Sequence, residues 1–193
     1  MVLLAVTRWP GLMPWNFSAV YALMFCAGVY FPKRLVWWLP FTTMLVTDLL
    51  LNGLYYHASL VSPEMAGNYL AYVALVLLGR GYSPKASWLK LLSGGLLGAI
   101  VFYVITNTFA WWFNPFHNVE YVKNFIGWWI ALTKGTSGYP QTWEFFRNTL
   151  MSGGLFTGLL AGAVKLMEAA EPEEEEAEAP EEKPQEKPEE AKA

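Results

Sequence analysis

Residues Leu89 to Trp112 form an almost unbroken apolar run, LKLLSGGLLGAIVFYVITNTFAWW. About two dozen residues at helical rise cross the hydrocarbon core of a bilayer, and a helix satisfies its own backbone there. Lys90 stands at one end and Trp111 and Trp112 at the other, residue types that favour a membrane–water boundary. Gly94, Gly95 and Gly98 give a neighbouring backbone room to approach. Asn107, beside Thr106, lies about one turn in from the Trp end. An amide at that depth needs a polar partner. The stretch therefore predicts a membrane helix against which other helices pack.

The rest of the chain agrees. Hydrophobic residues make up 54% and aromatic residues 17%, more than an ordinary water-soluble domain carries. The net charge of −3 hides two unlike parts. From Glu168 onward there are 12 acidic residues and 3 lysines, a tail of −9. Before it, 4 acids face 10 bases, giving +6. Two units follow: a transmembrane helical domain over 1–167 and a disordered acidic Glu/Pro/Lys/Ala tail over 168–193. Cys26 is the sole cysteine, which excludes an internal disulfide and a cysteine-based metal site. Met1–Val6 is too short for a signal-peptide core.

The fold expected is all-α and polytopic, with five full transmembrane helices, a short N-terminal half-helix and a re-entrant or interfacial helix. Met1–Trp15 opens like a helix but stops at Arg8 and Pro10. The spans are Phe17–Phe31, Leu35–Asn52 with a kink at Pro40, Ala66–Gly79, Leu89–Trp112 and Phe145–Met167. Between the last two, Phe125–Leu132 is too short to cross and suits a half-helix lining a cavity. Ser18, Ala22 and Cys26 recur every fourth residue, a small-residue stripe suited to tight helix packing. A longer N-terminal helix would make the pattern six spans.

Orientation follows from lysine and arginine in the loops. The 32–34 turn has two and the 80–90 loop three, whereas the 53–65 loop has none. The basic loops are expected to face the cytoplasm across a bacterial inner membrane, with the acidic tail on the same side. Arg8, on the outer side, breaks the rule. Asp48, Asn107, Arg147 and Asn148 then each lie about one turn below the outer boundary. Trp15, Asn16, Tyr56, His57 and Trp111 lie above them.

Convergent polar groups under aromatic side chains describe a small-molecule pocket. The plainer reading keeps Asp48 and Arg147 as a self-neutralising ion pair and the aromatics as an interfacial belt. His57 and His117 lack metal-ligand spacing, and neither a metal nor a cofactor is expected. No HExxH, GxSxG or close pair of acids points to an enzyme. The bilayer is the expected partner, and nucleic acid is not.

PWNFSAVYALMFCAGVYFP, TDLLLN, AYVALVLLG, FYVITNTFAWW and YPQTWEFFRNTL form an ordered set. The set resembles an uncharacterised bacterial membrane family, a domain of unknown function, over most of Trp9–Gly162. That family in turn resembles the substrate-binding S components of energy-coupling-factor vitamin transporters. The resemblance implies a solute site under Trp9–Phe17, closed by Tyr55–His57 and the 113–143 segment. It also implies that Ser18, Ala22 and Cys26 dock an energising membrane partner. The chain departs from the pattern in its truncated first helix, in Trp15 before Asn16, and in Ser152–Gly153 where an acid is common. Two functions stay open: a substrate-binding component of a small-solute transporter, or an accessory subunit of a larger membrane complex with no ligand of its own.

Overall fold

A computed structural model describes residues 1–178. Seven α-helices and one π-helical turn make up the regular structure of the described residues, with no strand. They are α1 (Val2–Val6), α2 (Val20–Tyr30), α3 (Leu35–Leu50), α4 (Pro63–Arg80), α5 (Trp88–Phe113), α6 (Phe125–Thr133) and α7 (Thr142–Glu178). The π-helical turn, Leu51–Tyr55, continues α3. Local chemistry sets several boundaries. Pro63 occupies the first turn of α4 after extended Ser62, where a missing N–H costs nothing. The Ser87 hydroxyl accepts from the Lys90 N–H to start α5, and Asn114 ends it in the left-handed region at φ 41°. Asn124 caps α6 by accepting from the Gly127 N–H at 2.9 Å.

Three helices are long and apolar enough to cross a membrane: Leu35–Tyr55, Trp88–Phe113 and Thr142–Ala170. The expected Phe17–Phe31 span shortens to α2, 11 residues that rise about 16 Å, roughly half a bilayer core. Every residue of α2 from Val20 to Val29 is buried. A helix that is apolar all round belongs inside a bundle, and here it is ringed by α3, α4, α5 and α7. Residues 17–19, expected in that span, instead precede the helix. α4 is longer than the expected Ala66–Gly79, because Pro63 starts it a turn earlier.

Glycine decides how close the helices come. A methyl on Gly28 would stand 2.4 Å from the Val76 carbonyl oxygen, and one on Gly79 would stand 2.2 Å from the Phe25 carbonyl oxygen. α2 and α4 therefore meet backbone to backbone. Between α5 and α7, Gly95 lies under Thr157 and Gly153 under Ala99.

The small-residue stripe lies mostly inside the bundle. Ala22 and Cys26 are buried inside the chain, Cys26 packing with Leu91 and Ala161, while Ser18 faces the cleft described below. The chain's own helices cover Ala22 and Cys26, so these two positions offer no exposed face. α7 runs through the first acidic residues to Glu178, and the remainder of the acidic tail, 179–193, lies outside the described residues.

Candidate functional site

The site is built on one ion pair. Asp48 lies in the last turn of α3, and its Oδ1 accepts from Nη2 of Arg8, in the loop after α1. Nη1 of Arg8 donates to the Thr47 hydroxyl and, at 3.4 Å, to the Met44 carbonyl. The Tyr69 hydroxyl of α4 donates to the other oxygen, Oδ2, at 2.9 Å. The two charged side chains are only 17% and 12% exposed. Each charge is thus neutralised, and both carboxylate oxygens are used, the condition for keeping ions out of water. The network joins the N-terminal segment to α3 and α4.

The loop from Trp9 to Asn16 is fastened at its other end as well. Trp15 stacks on Phe145 of α7, with ring centroids 5.7 Å apart and planes 4° from parallel. Asn148 donates from Nδ2 to the Trp15 carbonyl at 2.9 Å. Asn16 sits in the left-handed region at φ 58°, and its carbonyl accepts from the Tyr21 hydroxyl at 3.1 Å. At the start, the Thr7 hydroxyl accepts from the Ala19 N–H at 3.1 Å.

Beneath this strap lies a cleft of about 920 Å³. Trp9, Trp15, Tyr21, Tyr55, Tyr56, Tyr72, Phe102 and Phe145 supply its aromatic lining. Asn16, Asn52, Asn68, Thr106 and Asn107 supply neutral hydrogen-bonding groups, and Glu64 supplies a carboxylate. The π-helical turn brings Leu51, Asn52 and Tyr55 to this lining. A widened helical turn of this kind often marks a functional site. A second cleft of about 650 Å³ adjoins it and shares Asn107, Ala110, Thr142 and Phe145 as a common wall. Its other lining residues include Phe116, Tyr121 and Tyr139.

Of the residues singled out in the sequence, Asp48, Asn107, Trp15, Asn16 and Tyr56 line the main cleft. Asn107 donates from Nδ2 to the Tyr103 carbonyl at 2.9 Å, which leaves its oxygen for other partners. Asn148 holds the strap. The expected meeting of Asp48 with Arg147 does not occur. Arg147 is exposed, with its guanidinium 5.7 Å from the ring centre of Trp143. Successive helical residues are about 100° apart, so Asn148 turns to the loop while Arg147 turns away.

His57 and His117 are exposed loop residues at φ 49° and φ 54°. Trp111 lies away from the cleft. Its indole donates to the Val122 carbonyl at 2.8 Å, and Lys123 binds the carbonyls of Trp111 and Trp112. Among the described residues, no three His, Cys, Asp or Glu side chains gather as a metal site would need.

Nothing in the sequence pattern alone assigns Tyr69, Glu64, Asn52 or Asn68 to the site, nor pairs Arg8 with Asp48. Arg8 carried a signal: a base on the outer side, against the loop-charge rule, has a reason to be there.

Outside the helices, the Glu120 carboxylate accepts from the Ser137 N–H at 2.9 Å, joining the loops on either side of α6. That bond holds its carboxyl below the usual range. Burial raises the neighbouring Tyr121 hydroxyl.

The chain belongs to a family of unknown function, DUF6580, which matches residues 1–175. No curated protein and no solved structure matches it.

Proposed function

We propose that this chain is an integral membrane protein that binds a small solute in the main cleft, as the substrate-binding component of a transporter. The observation that carries the reading is the cleft of about 920 Å³, aromatic-walled and amide-lined, under a strap fastened at both ends. Small-molecule sites are usually concave, largely apolar and furnished with a few polar groups.

In this reading α2 and α4 complete a five-helix core with the three longer apolar helices, and α6 lies at the interface. The basic 32–34 and 80–90 loops face the cytoplasm, so the strap and cleft face outward. The resemblance to energy-coupling-factor S components supports the same orientation. An energising partner would dock on an outer helix face, because Ala22 and Cys26 of the small-residue stripe are buried. The cleft binds its solute rather than transforming it.

Native mass spectrometry of gently purified protein tests this. A small adduct is expected on the native chain, and its loss is expected in Asn107→Trp, which fills the cleft. The same adduct on the filled variant, or no adduct together with no thermal shift across a library of small heteroaromatic solutes, would overturn the reading.

A further inference from the structure

The charge inventory of the main cleft points to one class of ligand. Three charged side chains line it: Arg8, Asp48 and Glu64. The first two satisfy each other, with Thr47 and Tyr69 taking their remaining capacity. Glu64 takes part in neither of the two ion pairs among the described residues and stands exposed in the first turn of α4. The cleft therefore carries one uncompensated negative charge.

Its walls add to that charge. The faces of aromatic rings attract cations, most strongly where water is excluded, and Trp15, Tyr55, Tyr56 and Tyr72 line the same space. A hydrated metal ion would want several oxygen anions, whereas this cleft offers one carboxylate not already paired, among rings and amides. Anions meet the opposite situation: the only base in the lining is already bound to Asp48.

Resting on the reading of the cleft as a solute site, we infer that the ligand is an organic monocation, an aromatic or alkylated amine. Glu64 is its counter-ion and selects it by charge.

The test uses the full chain in uncharged phosphatidylcholine nanodiscs and calorimetric titration with benzyltrimethylammonium, benzyl alcohol and phenylacetate. The ammonium probe is expected to bind about tenfold tighter than the alcohol, and phenylacetate to bind weakest. Glu64→Gln should erase the difference between the ammonium and the alcohol. Glu144→Gln, which removes an acid outside the lining and keeps its capping oxygen, should preserve it.

A preference for the ammonium that survives Glu64→Gln overturns the inference. So does tighter binding of the alcohol or phenylacetate. If that binding is lost in Asn107→Trp or Asn68→Trp, the cleft still stands as a solute site. Failure of all three probes to bind overturns both.

Discussion

Arg8 and Asp48 lie 40 residues apart in sequence, and their pairing holds the N-terminal segment on the bundle. Removing one member strands the other away from water. Asp48→Ala or Arg8→Ala is expected to cost about 3 kcal/mol, read by reversible unfolding in micelles. The double variant Arg8→Met/Asp48→Leu should recover much of that loss, because partners in one network do not add. Arg147→Ala, on an exposed side chain, should stay within about 0.5 kcal/mol of the parent.

These residues also show what the sequence made legible. Intramembrane polarity pointed to Asp48 and Asn107, and both line the cleft. It misassigned the base. Depth along a helix can be counted from the sequence, but the direction a residue faces depends on where the helix starts and what packs on it. α7 starts at Thr142 rather than Phe145, and Asn148, not Arg147, meets the strap.

At the scale of elements, close helix contact rests on glycine. Gly79→Ala pushes a methyl against the Phe25 carbonyl and is expected to cost about 2 kcal/mol or more, as overpacking does. Gly158→Ala meets only side-chain atoms at ordinary contact distance, Trp88 at 3.4 Å and Leu92 at 3.7 Å, and should be nearly neutral. Unfolding of the two variants side by side checks this.

The loops flanking α6 carry a pH dependence. Glu120 has a lowered folded pKa, so its bond to Ser137 contributes fully above the ordinary carboxylate range. That contribution is lost as pH falls through the folded value. Protection of the Ser137 amide from hydrogen exchange, taken relative to the intrinsic rate at each pH, should fall in acid, and Glu120→Gln should remove that step.

The long apolar runs Leu35–Tyr55 and Trp88–Phe113 were plain from composition. The reduction of α2 to a short central helix was not, because apolar content does not distinguish a lipid-facing helix from one enclosed by protein.

Taken whole, the molecule is a helical bundle with the short apolar helix α2 at its centre and a polar, aromatic cleft at one end under a double-fastened strap. The strap holds through separate contacts, so loosening one should leave the bundle intact. Trp15→Ala with Asn148→Ala is expected to raise hydrogen exchange across 9–17 while leaving α2 and α5 protected. The loss at the Trp15–Phe145 stack is about 1 kcal/mol.

In the proposed reading this cleft opens to the outer face. That opening is tested most directly by Asn107→Cys in a Cys26→Ala background, exposed to a membrane-impermeant maleimide on intact cells. Labelling from outside is expected, faster when Trp15 and Asn148 are replaced. Labelling that appears only after the cells are permeabilised would contradict it.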